Sequence, residues 1–338
     1  MSDAPILVTG AAGFLGMHVS ARLLASGHRV VGLDEVNAYY DPALKHARIA
    51  QLREQPGFEF VRQDVSDAPA LAALFERHGF ARVVHLAAQA GVRHSLKDPF
   101  AYARSNLSGM TAVLEACRHA RVAHLLYASS SSVYGGNTKV PFSEDDRVDA
   151  PVSFYAATKR ANELMAHTYA HLYALPATAL RFFTVYGPWG RPDMAYWMFT
   201  QAILEGRPIE VFGQGRLSRD FTYCDDVVGA IERLLDLPPG VDPAGGGAPA
   251  APHRILNVGN SSPHTVDELV ATLESAIGQR ARRIERPMPP GDVEATFADS
   301  SRLEALTGFR PATSLADGLG RFVRWYREWM RPAGQVAS

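Results

Sequence analysis

Tyr155 and Lys159, in Tyr155-Ala156-Ala157-Thr158-Lys159, stand one helical turn apart and share a helix face. The serine run Ser129-Ser130-Ser131-Ser132 ends an apolar stretch upstream of them. A phenol with a pKa of about 10 is a poor base near neutrality, and a neighbouring ammonium favours its phenolate. Such a group can take a proton from an alcohol while a hydride leaves the same carbon. A hydride needs an acceptor, and the N-terminal stretch offers a place for one. There Ile6-Leu7-Val8-Thr9 feeds Gly10-Ala11-Ala12-Gly13-Phe14-Leu15-Gly16. Glycines at that spacing permit a tight turn and let backbone amides approach a dinucleotide pyrophosphate at a helix N-terminus. Asp34 ends the next apolar run, where a carboxylate accepts hydrogen bonds from an adenosine ribose and repels a 2′-phosphate. That favours NAD over NADP. Asp64-Val65 offers adenine a side-chain and a backbone contact, although an Asp at a strand end serves equally as a helix cap.

The elements that must position these groups alternate. Strands are expected at 6–9, 29–33, 59–62, 82–86, 124–129 and 177–183, and helices at 14–26, 69–77, 104–119 and 155–173. This alternation predicts an α/β fold, a Rossmann-type doubly wound parallel sheet with helices on both faces. The apolar run Val83-Val84-His85-Leu86-Ala87-Ala88 suits a strand buried on both sides. Beyond residue 180 the pattern is less regular, with helices near 194–205 and 225–236 and two more towards the end. The expected division is a cofactor domain over 1–180 carrying Ser130, Tyr155 and Lys159, and a smaller α/β substrate-binding domain over 181–330. Residues 238–253, rich in Pro, Gly and Ala, read as a surface loop, and 331–338 as a tail.

Composition narrows the class. The 338 residues are 47% apolar and 20% charged with a net charge of −1, so no nucleic-acid or anionic-membrane partner is expected. Two cysteines, Cys117 and Cys224, cannot build a disulfide framework or a zinc site. No apolar stretch reaches the roughly 18 residues of a membrane span, and no signal sequence is apparent. The expectation is a soluble, cytoplasmic protein without a metal.

Longer strings carry a resemblance: Tyr39-Tyr40-Asp41-Pro42, Arg93-His94-Ser95, Tyr127-Ala128 running through the serines to Val133-Tyr134-Gly135, and Arg181-Phe182-Phe183-Thr184-Val185-Tyr186-Gly187-Pro188-Trp189-Gly190-Arg191-Pro192-Asp193-Met194-Ala195. From Ile6 to about Trp329 the chain resembles the extended short-chain dehydrogenases/reductases that act on nucleotide sugars, and within them the UDP-glucuronate 4-epimerase branch. The resemblance implies that Ser130, Tyr155 and Lys159 form the catalytic group and that NAD stays bound through turnover. Asn106 would hold active-site water or helix geometry. It extends the cofactor set to Asn37, Leu86, Ala87, Ala88, Gln89, Ser129, Phe182 and Val185. For the substrate it implies Arg219 on the diphosphate, Phe212 beside uracil and Asp292 on the uridine ribose. It also implies a homodimer through helices near 104–119 and 155–173, with Ala161, Leu164, Met165, Thr168 and Leu172 at the seam or in the core.

A uronic acid differs from a hexose by a carboxylate at C6. Arg191, with the hydroxyls of Ser131, Ser132 and Thr184, can receive it, and Arg93 is a second cationic candidate that spacing alone does not exclude. In decarboxylases and dehydratases of this family an acid stands immediately before Val-Tyr-Gly, where this chain has Ser132. The expected reaction is reversible C4 epimerisation of UDP-glucuronate to UDP-galacturonate through a 4-keto sugar. A UDP-glucose 4-epimerase and a UDP-glucuronate decarboxylase are the alternatives.

Overall fold

The computed structural model describes residues 4–240, 251–287 and 294–330. The first half repeats strand and helix: β1 (Ile6–Thr9), α1 (Phe14–Ala25), β2 (Val30–Asp34), α2 (Pro42–Arg53), β3 (Phe58–Arg62), α3 (Ala68–His78) and β4 (Arg82–His85). A short α4 (Pro99–Tyr102) passes through a π-helical stretch, Ala103–Ser108, into α5 (Gly109–Ala120). Then come β5 (His124–Ser130), α6 (Phe154–Tyr173) and β6 (Ala177–Phe182). β1 and β2 are buried along their whole length, as strands covered by helices on both faces must be. Helix starts follow local chemistry: the Asp41 carboxylate accepts from Ala43 N at the head of α2, the Asp67 carboxylate from Ala70 N at α3, and the Ser153 hydroxyl from Ala156 N at α6.

The second half contributes β7 (Thr184–Tyr186), α7 (Ala195–Leu204), β8 (Pro208–Phe212), β9 (Ser218–Tyr223), α8 (Cys224–Leu235), β10 (His253–Val258), β11 (Pro263–Thr265), α9 (Val266–Ile277), β12 (Arg282–Arg286), α10 (Ser301–Thr307) and α11 (Leu315–Trp329). β11, β9 and β7 form one small sheet, β12 and β8 another.

The main sheet runs β10-β6-β5-β4-β1-β2-β3, with every neighbouring pair parallel. The order reverses beside β1, which opens a crevice at the carboxyl ends of β1 and β4. Its seventh strand was not expected. β10 follows the Pro-, Gly- and Ala-rich segment, yet it returns to pair with β6 from His253↔Ala177 to Val258↔Phe182. α8 likewise packs on α1. The chain therefore crosses back to the main sheet after residue 180. Helix α2 was also not expected: Asp41-Pro42 marks its start, but Lys45, His46, Arg48, Gln51 and Arg53 dilute its apolar stripe. Residues 241–250 of the expected loop and the 331–338 tail lie outside the described residues.

Candidate active site

One cleft at the carboxyl edge of the sheet gathers most of the expected groups. Its walls include Gly10, Gly13, Phe14, Leu15, Gly16, Asp34, Asn37, Asp64 and Val65 at one end. Leu86, Ala87, Ala88, Gln89, Ser129, Ser130, Tyr155, Lys159, Phe182, Val185 and Arg191 continue it to the other.

The glycine end is built for backbone approach. Gly10 has φ +73°, and a Cβ there would come within 2.8 Å of Ala87 N. A Cβ on Gly16 would run into the carbonyl oxygen of Gly10. Nothing larger than glycine keeps α1 this close to β1 and β4. Asp34 is oriented by two amides, Val36 N donating to Oδ1 at 2.8 Å and Ala12 N to Oδ2 at 3.1 Å. The nearby Lys45 ammonium is taken up by Asn37, bonding its carbonyl at 3.0 Å and its Oδ1 at 2.6 Å. A cradle of close-packed glycines beside an aimed carboxylate fits NAD, and gives a 2′-phosphate an anion to face.

The catalytic candidates come from β5 and α6. Ser153 caps α6, which sets Tyr155 in its first turn and Lys159 in its second. Burial raises the Tyr155 phenol above its ordinary 10.0; a hydrogen bond with Ser130 and the charge of Arg191 pull it back. Arg191, expected from the sequence only as a carboxylate reader, thus also acts on the phenol, a second cation beside the expected Lys159. Lys159 is buried, donates to the Ala128 carbonyl at 3.0 Å, and is lowered by burial from 10.5 to about 8. Ser132 Oγ donates to Ser130 Oγ at 2.9 Å, and Ser132 N to the same oxygen at 3.2 Å. With its acceptor side filled, Ser130 is left to donate towards Tyr155.

Beneath these groups lies a sealed charge network. Glu163, one turn past Lys159, receives Ser129 Oγ at 2.7 Å and a bidentate Arg181 at 2.8 and 2.9 Å. Arg181 also stacks on Tyr134, 4.8 Å from the ring centre. This pair ties α6 to β5 and β6, and so fixes the distance from Tyr155 to Ser130. Asn106 acts similarly from the π-helical stretch. Its Oδ1 accepts from Gln89 N at 2.8 Å, while its Nδ2 donates to Gln89 O at 3.1 Å and Thr158 Oγ1 at 3.0 Å. Asn162 Nδ2 donates to the Asn106 carbonyl at 2.7 Å. These bonds fit the helix-geometry alternative for Asn106, which is not among the cleft walls.

The remaining substrate candidates are dispersed. Ser131 and Ser132 lie in the turn Ser131–Tyr134, and Thr184 opens β7, partly buried. The Arg93 guanidinium lies 5.2 Å from the centre of the Phe212 ring, joining the loop after β4 to the end of β8. Arg219 Nη1 donates to the carbonyls of Ser218 at 2.8 Å and Glu294 at 3.4 Å. Asp292 lies outside the described residues.

The description NAD dependent epimerase/dehydratase family matches residues 6–259 of this chain. The chain belongs to that family. Across 97% of this chain and 98% of its own length, the probable UDP-glucuronate 4-epimerase of Rhizobium meliloti is 48% identical. UDP-glucuronate 4-epimerase 1 of Arabidopsis thaliana is 52% identical over 95% of this chain and 76% of its own length. Among solved structures, UDP-glucuronic acid 4-epimerase from Bacillus cereus with UDP-glucuronic acid and NAD superposes with a TM-score of 0.87. It is 34% identical and covers 96% of this chain and 99% of its own. Family membership makes this protein an NAD-dependent enzyme with the doubly wound sheet described above.

Proposed function

We propose that this protein interconverts UDP-glucuronate and UDP-galacturonate by inverting C4, with no net oxidation. Its relatives' named activities support the reaction, and one feature of the cleft carries the substrate class: Arg191 shares the wall that bears Tyr155 and Ser130. Arg93 is not part of that wall but lies against Phe212, which favours Arg191 as the reader of the C6 carboxylate.

NAD, which Gly10, Gly13, Gly16 and Asp34 would hold, would supply reversible hydride acceptance at C4. Tyr155 removes the C4 hydroxyl proton, its phenolate favoured by the Ser130 hydroxyl and by Arg191. The same phenol gives the proton back once the ring has turned. Phe212, Arg219 and Asp292 hold the uridine diphosphate, so that binding energy sits on the part of the substrate that does not react. A 4-keto uronate is a β-keto acid and loses carbon dioxide when its C5–C6 bond aligns with the carbonyl. Arg191, Ser131, Ser132 and Thr184 hold the carboxylate out of that alignment, and no acid at position 132 assists chemistry at C5. The protein is a cytoplasmic homodimer in this reading. Leu164, Thr168 and Leu172 are exposed along one stripe of α6, and Cys117 and Cys224 are buried free thiols. Among the described residues no helix is long and apolar enough to cross a membrane.

Incubation with UDP-glucuronate, resolved by NMR, tests the assignment. UDP-galacturonate should accumulate to a stable ratio without UDP-pentose; pentose as the main product would make the protein a decarboxylase.

A further inference from the structure

The Tyr39-Tyr40 pair and the residues after Arg191 belong to long strings that the proposed chemistry leaves unused. In the structure they meet. Arg191 Nε donates to Asp193 Oδ1 at 3.0 Å and Arg191 Nη2 to Asp193 Oδ2 at 2.7 Å. The Tyr39 hydroxyl donates to the same Oδ2 at 3.1 Å. The turn bearing both charges is anchored from below. Met194 N donates to the Arg191 carbonyl at 3.2 Å. Arg48, fully buried, donates to the carbonyls of Trp189 at 2.6 and 3.1 Å, Gly190 at 2.7 Å and Ala12 at 2.9 Å, and to the Tyr40 hydroxyl at 2.6 Å. Two long, mobile side chains would pair only loosely. These two are presented to each other by a fixed loop that is tied to the glycine turn.

An arginine fork carries five N–H donors, and Asp193 takes two of them. A ligand carboxylate must therefore share Arg191 with Asp193, and two carboxylates around one guanidinium repel each other. The reaction imposes an unusual demand at this point. The carboxylate has to be gripped, released while the ring turns over, and gripped again. A charge-assisted pair as strong in the substrate as in the product lowers KM without helping the turn between them. Without Asp193, release would also leave a largely buried guanidinium unpaired, and that penalty would add to the barrier.

We propose that Asp193 is a positioning and specificity-determining residue: it holds Arg191 as a standing second partner, weakening the grip on the C6 carboxylate so that the 4-keto ring can turn within the cleft. This rests on Arg191 reading that carboxylate. Tyr39, by donating to Asp193, draws off part of its charge and tunes the grip in the opposite sense.

Steady-state kinetics of the Asp193→Asn holoenzyme provide the test, with UDP-glucose as a neutral competitive probe. The KM for UDP-glucuronate should fall roughly three- to tenfold, the size of one charge-assisted contact. Its kcat should fall by at least as much, while the inhibition constant of UDP-glucose stays put. With UDP-glucuronate deuterated at C4, the isotope effect on kcat should shrink towards unity as ring turnover becomes limiting. Asp193→Glu, which keeps the charge, should restore kcat. Tyr39→Phe should move the uronate KM upwards relative to the UDP-glucose constant, and it carries the test if Asp193→Asn does not fold. A raised uronate KM in Asp193→Asn would reduce Asp193 to a bracket that merely aims Arg191, and unchanged constants would leave it no part; either result overturns the proposal. Arg191→Gln separates the two layers. If uronate and UDP-glucose still bind in the wild-type ratio, the carboxylate reading itself fails. If that ratio collapses while Asp193→Asn behaves as wild type, only the role of Asp193 falls.

Discussion

Two bidentate arginine–carboxylate pairs bracket Tyr155, and they differ in almost everything except their chemistry. Under the candidate catalytic side chains, Arg181 and Glu163 are 1% and 0% exposed, closed in by Ser129, Arg160 and the Tyr134 ring. At the lip, Arg191 and Asp193 are 23% and 33% exposed on a turn two residues apart. The first pair joins a helix to two strands, so its geometry is set by the main sheet. The second is set by a loop outside the sheet, held in place by Arg48. One interaction type therefore serves two ends: where water is excluded it fixes Tyr155 to Ser130, and where a ligand enters it leaves a cation that can be shared.

Tyr155, between the two pairs, gives the largest expected effect. Tyr155→Phe removes the proposed proton acceptor and keeps the ring, so kcat should fall by about 10³-fold, within the range for loss of a general base. Bound NAD, assayed after denaturation, should remain at the wild-type level. Substantial residual turnover would mean that the proton leaves by another route. At the floor, Arg181→Met strands a buried carboxylate, with Arg160 as its remaining cationic partner at 3.1 Å. Stability should fall by about 3 kcal/mol, the low end for breaking a buried pair, read from the denaturant midpoint. The double variant with Glu163→Gln should recover part of that loss. If Arg181→Met costs under about 1 kcal/mol, the floor pair is no tighter than a surface bridge and the contrast with the lip disappears.

Much of this arrangement was legible in the chain, and what was missed has a common cause. Gly10, Gly16, Asp34, Tyr155 and Lys159 act through local spacing, and the apolar runs of β1 to β6 are short and strongly patterned. The sheet and its parallel sense followed from that. Glu163 continues the Tyr155 and Lys159 helix face by one more turn, a signal that spacing could have caught. Arg181, Arg48 and Asp193 gave no local sign. Each matters through a partner far along the chain or on a loop, as when Arg48 reaches Trp189 from α2. β10 was hidden for a related reason, since its place beside β6 depends on a return across the sheet rather than on its own six residues.

Lys159 stands apart from both pairs. Arg181 and Arg191 each have a carboxylate; among the described residues Lys159 has none, and its ammonium rests on the Ala128 carbonyl alone. Burial accordingly lowers its pKa from 10.5 to about 8. Below pH 8 the ammonium is charged in both the folded and the unfolded chain, so the folded state bears the full desolvation cost. Between about 8 and 10.5 the unfolded chain holds the proton more tightly than the folded one, and stability rises with pH through that window. Above it the group is neutral in both states and the cost is gone. Lys159→Met removes the buried charge, offset by a lost hydrogen bond to Ala128, for a net gain of about 1 to 2 kcal/mol at pH 7. The variant should be inactive yet unfold at a higher denaturant concentration than the parent, with the gap closing as pH approaches 10.5. A variant less stable than the parent at pH 7 would mean that Lys159 is paired as securely as the two arginines, and that a lone cation between two matched pairs is the wrong description of this site.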